Sequence, residues 1–458
     1  MINDQFIRSH INVFGAGLAG CEAAYAAAER GISVRLYEMK PIQYSPAHHS
    51  DQFAELVCSN SLRSDELCNA VGLLKEEMRC LGSLMMQSAK RSRVSAGSAL
   101  AVDRNLFSKW ITDTIKNHPN IQVITEEVRS LPENEISIVA TGPLTSDGFS
   151  RYLMEKLGCG YLHFFDAAAP IIDADSIDRE KVYAASRYGK GDAAYLNCPF
   201  TKDEYEDFWV NLTNARETDL KDFDKHSQSL NVFEGCMPVE VMARRGIDTL
   251  LFGPLKPVGL PLPESGKLPY AVVQLRPENA EKTMYNLVGF QTHLAFEEQR
   301  RVFRMIPGLE QAEFLRYGVM HRNTFINSPQ LLKPSYAVRS MPNVFFAGQI
   351  TGVEGYVESA ASGIVAGLNA ASLLQNNAEI IFPTECVIGA MANYVSNGSG
   401  TGTEFQPMNA NFGLVPLLGY RVKGGKKVKN EELAKRSLKE LALFCERIGI
   451  EMQERISN

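Results

Sequence analysis

The stretch from Ile11 to Glu38, INVFGAGLAGCEAAYAAAERGISVRLYE, restricts the fold more than any other part of the chain. The apolar run Ile11 to Phe14 reads as a buried parallel strand, and an alanine-rich helical pattern follows Gly15-Ala16-Gly17-Leu18-Ala19-Gly20 and ends at Gly31. A second strand, Ile32 to Tyr37, delivers Glu38. The spaced glycines allow a tight turn, a close approach of phosphate to the backbone, and close packing of helix on strand. The helix N-terminus offers unpaired N–H groups and the positive end of its dipole. Glu38 lies about 20 residues beyond Gly17, where a dinucleotide fold places the carboxylate that binds ribose hydroxyls.

A chain of 458 residues holds two or three domains. Its 45% hydrophobic and 22% charged residues are ordinary for a soluble globular protein. The polar start, MINDQFIRSH, and the absence of a long apolar run predict a cytoplasmic protein with no signal peptide and no membrane span. Nine cysteines without a CxxC pair or a Cys/His cluster argue against a disulfide framework and against a metal site. Cys21, Cys80, Cys159 and Cys445 read as small hydrophobes. With a net charge of −6, contact with nucleic acid requires a local basic patch.

Beyond Glu38 a polar loop, residues 41 to 52, carries His48 and His49, which as neighbours point apart and fit a solvated loop better than a metal site. Cys58 sits at the junction of an apolar segment with Ser59-Asn60-Ser61-Leu62-Arg63. Two readings stand for it: a thiol of lowered pKa beside Arg63, or a buried thiol under a loop. Helices are expected over 72–90 and Leu106 to Lys116, and strands over Ile121 to Val128 and Ile136 to Ala140. The turn Thr141-Gly142-Pro143 then falls where open α/β sheets bind ligands. The βαβ rhythm lapses from about residue 150 to 330, where prolines and an acidic helix, Lys202 to Arg216, suggest an inserted mixed α/β domain. It resumes at Val344 to Ala347. The fold class expected is α/β: a Rossmann-like domain, discontinuous in sequence (1–150 and 331–458), with a substrate domain over 151–330.

A second strand–turn–helix begins at Phe345. Its glycine-rich turn holds Gly348, Gln349, Gly352 and Gly355, and a helix of small residues starts near Val357. Such a late helix aims its N-terminus at the pyrimidine side of a flavin, so two turns of this kind favour FAD over NAD. Gly398 to Gly402 follows a helical segment and no ribose-binding acid follows it, so NAD(P)H is expected only as a transient reductant. Cys236 lies in FEGCMPVE, beside a glycine and a helix-start proline, where a thiolate can be stabilised; Glu234 and Glu240 beside it act in the opposite sense. Arg421, Lys423, Lys426, Lys427 and Lys429 form the densest basic run, and with Lys90, Arg91 and Arg93 they read either as solvated surface or as phosphate contacts.

Taken together, these segments resemble the folate- and flavin-dependent RNA uracil-5-methyltransferases. The resemblance covers essentially the whole chain: GAGLAGCEAA (15–24), ELVCSNSLRSDE (55–66), ATGPLTS (140–146), YLNCP (195–199), FEGCMPVE (233–240), RNTFINSP (322–329), AGQITGVEGYVESAASG (347–363) and FQPMNANFG (405–413). The larger tRNA wobble-uridine modifying flavoproteins share the glycine turns but not the two cysteine motifs. The resemblance implies methylation of C5 of a uridine, with 5,10-methylenetetrahydrofolate as carbon donor and reduced FAD as reductant. It implies Cys236 as the nucleophile at C6 and Cys58 as the base that removes the C5 proton; Cys198, in the third shared cysteine motif, is read as structural. His321 and Arg322 then become candidate folate contacts, since a pterin and its glutamate tail need donors and a cation.

The RNA partner is expected to be tRNA, at its T-loop uridine, with a 23S ribosomal RNA uridine as the alternative. A monomer or small homo-oligomer fits either. Two rivals from other classes are a flavin oxidoreductase acting on a small molecule and a non-catalytic RNA-binding flavoprotein.

Overall fold

The computed structural model describes residues 7–158, 162–167, 169–189, 192–218, 237–279, 281–318, 320–398 and 405–453. The opening unit forms β1 (Ile7–Phe14), α1 (Leu18–Ala28) and β2 (Val34–Glu38). A small sheet of β3 (Ser61–Ser64), β4 (Arg93–Val94) and β5 (Ala99–Val102) is interrupted by α2 (Ala70–Cys80) and α3 (Leu84–Arg91). Then come α4 (Arg104–Asn117), β6 (Ile121–Thr125), β7 (Glu135–Val139) and α5 (Asp147–Leu157).

The middle of the chain contains β8 (Leu162–Ala167), β9 (Ile171–Asp173), β10 (Tyr183–Ala184), β11 (Leu196–Phe200), α6 (Lys202–Thr213) and α7 (Val239–Ala243). It continues through β12 (Ala271–Pro277), β13 (Met284–Leu287), α8 (Phe296–Phe303), β14 (Phe314–Arg316) and β15 (Met320–Phe325). The last part is α9 (Ser328–Leu331), β16 (Ala337–Val338), β17 (Met341–Phe346), α10 (Tyr356–Leu374), α11 (Val387–Asn397) and α12 (Gly425–Ile448).

One six-stranded sheet has the order β16-β17-β7-β1-β2-β6, with every pair parallel except β16–β17. β17, from the late part of the chain, completes a sheet begun by the early part, so the Rossmann-like domain is discontinuous. Both faces of such a sheet are covered, which is why Ile11, Val13, Ile138 and Phe346 are apolar and fully buried. A second, antiparallel sheet, β10-β11-β12-β13-β9-β14, has its own core around Phe200, Phe208, Phe290 and Phe303. This is the inserted mixed α/β domain. The two chain crossings between the sheets run through a ribbon in which β15 pairs antiparallel with β8.

The helix pair α1 and α10 decides where the site lies. A Cβ at Gly363 would stand 2.2 Å from Ala19 O, and one at Gly367 would stand 2.4 Å from Ala23 O. Only glycine permits backbones this close. The contact brings the N-termini of α1 and α10 to the same edge of the parallel sheet.

Three expectations need correction. The helix expected over 72–90 is two helices, because the chain turns at Gly82 and restarts with Ser83 capping α3. Glu22, buried in α1, accepts from Leu84 N and Met85 N at that new N-terminus. The basic run beyond Arg421 is in part the first turn of α12, whose buried Leu433, Ser437, Leu441 and Phe444 recur at helical spacing. Finally, α10 does have the length and apolarity of a membrane span, but 83% of that window is buried inside the protein. It is the central helix of the core.

Candidate active site

A cleft with about 1430 Å³ of empty space, including its open mouth, lies at the carboxyl ends of the parallel strands. Gly15, Ala16, Gly17, Leu18, Ala19, Glu38, Gly348 and Gln349 line it, as do Thr141 to Ser146 after β7. Of the other glycines proposed from sequence, Gly20 packs against Gly15 O, Gly352 against the Phe405 ring, and Gly355 beside Glu358 and Arg63. These three do not line the cleft.

Glu38 is buried, and its carboxylate ties the first turn together. Oε2 accepts from Ala16 N at 2.8 Å and Oε1 from Lys40 N at 3.0 Å. A carboxylate has further lone pairs beyond these two bonds, so it retains capacity for ribose hydroxyls. The adjoining loop differs from the solvated one expected. His48 turns into the cleft, its Nδ1 2.5 Å from Ser45 Oγ, whereas His49 is exposed. Burial lowers the His48 pKa, and Lys40 lowers it further.

The second glycine turn is braced by residues distant in sequence. Gly348 N donates to Ser362 Oγ at 2.7 Å, and Gln349 Nε2 to Glu354 Oε2 at 2.8 Å. Glu358, in the first turn of α10, pairs with Arg63 and accepts from Ala410 N at 2.8 Å. Three segments quoted above for their resemblance thus converge on one helix start.

Cys58 lines the same cleft. Its neighbours are fixed from the inserted domain and from α4. Arg276, at the end of β12, donates from Nε to Asn60 Oδ1 at 2.8 Å and from Nη2 to Ser59 Oγ at 2.7 Å. Asn60 Nδ2 donates to Val102 O, Pro277 O and Glu278 O. Arg104 donates to Leu56 O at 2.7 Å and pairs with Glu278 at 2.6 Å. Burial works against the Arg104 charge, and Glu278 more than restores it. Tyr356, the first residue of α10, completes the surround with its hydroxyl 2.9 Å from Cys58 Sγ. Arg104, Arg276, Glu278 and Tyr356 were not singled out from sequence. Tyr356 stands inside a quoted motif, but nothing in residue spacing marks the other three.

Cys236 lies outside the described residues; the chain is described again from Met237, and Val239 N donates to Gln291 O at 2.7 Å. Glu240, fully buried, accepts from Thr292 Oγ1 and His293 N. Cys159 is likewise outside the described residues. Cys21, Cys80, Cys198 and Cys445 are buried, and burial pushes the Cys198 thiol far up, as befits an inert thiol. His321 and Arg322 lie on β15 opposite Asp166 and Phe165 of β8. The end of β15 adjoins the cleft, since Thr324 N donates to Pro143 O.

Arg91, Arg93, Arg421, Lys423, Lys426, Lys427 and Lys429 are all exposed. Arg91 lies 4.5 Å from the Trp110 ring centroid. Asn430 donates to Cys68 O and seats the start of α12 beside the loop that follows β3. Arg93 lies on β4 of the same small sheet, separated from β3 by β5.

The family model described as "Glucose inhibited division protein A" matches residues 10–378. The chain is 60% identical over 94% of its length to a protein of Acetivibrio thermocellus named methylenetetrahydrofolate–tRNA-(uracil-5-)-methyltransferase TrmFO, 97% of which is covered. It is 57% identical over 96% of its length to the Bacillus subtilis protein of the same name, 99% of which is covered. Among solved structures, Aquifex aeolicus GidA shares the fold with a TM-score of 0.67 at 18% identity, covering 97% of this chain and 74% of that one. The cleft's glycine turns, its buried Glu38 and its two converging helix N-termini fit FAD. By sequence along its whole length, the chain belongs to the methylenetetrahydrofolate-dependent tRNA (uracil-5-)-methyltransferases, within the glucose-inhibited division protein A family.

Proposed function

We propose that this protein methylates C5 of the T-loop uridine of tRNA, forming 5-methyluridine, with 5,10-methylenetetrahydrofolate as carbon donor and reduced FAD as reductant. The observation that carries the reading is the position of Cys58 in the lining of the cleft, together with both glycine turns. FAD would be held by Gly15 to Ala19, Glu38, Gly348 and Gln349, with Gly20, Gly352 and Gly355 supporting the turns. Bound and reduced, it supplies the two electrons that bring a methylene-level carbon to a methyl. NAD(P)H reduces it transiently, without a domain of its own.

The chain's residues then act on the base. Uracil C5 is too weak a nucleophile to take the carbon unaided. Addition of the Cys236 thiolate to C6 moves an electron pair onto the ring and makes C5 nucleophilic. After C5 has bonded to the carbon, Cys58 removes the C5 proton, and the electron pair left at C5 expels the nitrogen that carried the carbon, leaving an exocyclic methylene. The two electrons that reduced FAD would supply as hydride make that carbon a methyl, and the ring expels the Cys236 sulphur as C5=C6 reforms. A stacked uridine cannot reach these groups, so the base is flipped out of the RNA.

His321 and Arg322 are assigned to the folate side, and Arg421, Lys423, Lys426, Lys427, Lys429, Arg91 and Arg93 to RNA phosphates. Residues 1–150 and 331–458 form the FAD part and 151–330 the substrate part of a cytoplasmic monomer or small homo-oligomer.

The test incubates purified protein with NADPH, methylenetetrahydrofolate and unmodified tRNA or ribosomal RNA, followed by nucleoside mass spectrometry. 5-Methyluridine in tRNA supports the reading. Product in 23S ribosomal RNA alone would move the target, and product in neither would refute the chemistry. Cys236→Ala should bind flavin and form no product.

A further inference from the structure

The Tyr356 hydroxyl meets three atoms of one short segment. Cys58 N lies 2.7 Å from Oη, Ser59 N lies 3.3 Å away, and Cys58 Sγ lies 2.9 Å away. An amide N–H can only donate, so both backbone groups occupy the acceptor side of the phenol oxygen. The phenol keeps one hydrogen of its own, and the sulphur is an acceptor within reach. The O···S pair alone leaves the donor undecided; the two amides decide it.

We propose that Tyr356 donates its phenolic hydrogen to Cys58 Sγ and holds that sulphur as a thiolate, which makes Tyr356 a positioning residue for the proton-removal step. The inference deepens the proposed function and takes its mechanistic meaning from Cys58 as base.

The surrounding charges agree with it. From α10 comes the positive end of the helix dipole, since Tyr356 is the first helical residue. From α4 comes Arg104, already matched by Glu278. From β14 comes Arg316, whose Nη2 is buried and has no hydrogen-bond partner among the described residues. Burial lowers the Arg316 pKa and Arg104 adds to the effect, while Tyr356, Cys58 and Glu55 oppose it. Glu55, on the loop's own side, accepts from His49 N and Ser50 N and lies 3.8 Å from Lys40. Tyr356 remains a donor over the working range, because burial holds its phenol well above the usual tyrosine value and a negative sulphur pushes it the same way. When Cys58 takes the substrate proton, S–H replaces the thiolate and the tyrosine hydrogen stays on oxygen. No proton leaves the pair.

Alkylation of Cys58 in the full-length FAD-loaded protein reads the sulphur directly, with iodoacetamide from pH 6 to 10 and peptide mass spectrometry at that residue. In Tyr356→Phe the midpoint of the pH–rate profile should rise by about one unit, the size of a charge-assisted hydrogen bond, and the rate at pH 7 should fall severalfold. A purely structural tyrosine gives the opposite result: a loosened loop exposes the thiol, alkylation accelerates at every pH, and the midpoint stays where it was. That outcome overturns the inference.

Should Tyr356→Phe lose its flavin, 3-fluorotyrosine at position 356 provides a near-isosteric and stronger donor. It should lower the midpoint, and an unchanged or higher one rejects the proposal. The assay is independent of methylation. Full methylation by Cys58→Ala would remove the base assignment and leave the hydrogen bond standing.

Discussion

Gly363 of α10 rests on the carbonyl oxygen of Ala19 in α1, with 2.2 Å between that oxygen and the place a Cβ would occupy. Helices in such contact cannot separate without moving both glycine turns of the cleft. Gly363→Val should therefore cost on the order of 1–3 kcal/mol through overpacking. Flavin loss should precede unfolding, seen as a fall in bound-flavin absorbance at temperatures where circular dichroism is still native. Full flavin occupancy with an unchanged Tm would contradict the role given to this contact.

Glu38→Ala leaves the Ala16 and Lys40 amides without their acceptor. An unpaired buried amide costs about 1–3 kcal/mol. FAD affinity should fall at least roughly tenfold, measured by fluorescence titration of the flavin-free protein. Wild-type affinity in the variant would place the cofactor's ribose elsewhere.

Arg276 fixes Ser59 and Asn60 from the inserted domain. Arg276→Met keeps the length of the side chain and removes both bonds, at about 1.5–3 kcal/mol for hydrogen bonds to a charged group. Methylation should drop at least roughly tenfold while flavin stays bound. Arg276→Lys, a point charge in place of a fork, should rescue little of it.

Glu77 gives a pH dependence of stability. Its carboxylate is buried and accepts from Val387 N and Ile388 N at the start of α11 and from Ser437 Oγ. Burial raises its pKa to about 7, above the unfolded value near 4.5, even though Ser437, Ile388 and Val387 oppose the shift. A raised folded pKa means the contribution is full below about pH 4.5 and is lost as pH rises through about 7, on the order of 3 kcal/mol over that window. Glu22, also raised to about 7 by burial, adds a second slope of the same sign. Glu77→Gln should flatten the Tm-versus-pH curve between pH 5 and 8 while lowering Tm throughout, since its NH2 group faces an amide donor. A slope identical to wild type would mean that Glu77 does not titrate there.

Lys426, Lys427 and Lys429 open α12 with three exposed cations and no acid in its first turn. If they contact phosphate, each replacement by glutamine should lower the slope of log K against log salt by about 1. Filter binding of tRNA across a salt series reads this. An unchanged slope in the triple variant would return the run to ordinary solvated surface.

Legibility from sequence followed the range of the interactions. The unit from β1 to Glu38 was readable because its strand, turn, helix and second strand are set by local periodicity and by glycines within one short stretch. The turn at Gly348 was readable for the same reason. The break at Gly82–Ser83 was missed because apolar residues continue through it, and the acid that stabilises the new helix start, Glu22, comes from another helix. α12 was hidden behind its lysines, although Leu433, Ser437, Leu441 and Phe444 carried the periodicity.

The sequence by itself determined a dinucleotide fold closed by its own distant end, and it singled out Cys58 and Cys236 as thiols that such a fold does not need. It left open whether Cys58 was a reactive thiol or a buried one. Tertiary structure placed Cys58 in the cleft lining, set it against Tyr356, 298 residues away, and fixed its chain neighbours Ser59 and Leu56 with Arg276 and Arg104 from two other elements. Spacing along the chain encodes which residues share a face of one helix or strand. The field around a sulphur is set by groups that only the packing of separate elements brings together, and it is that field which decides what the sulphur can do.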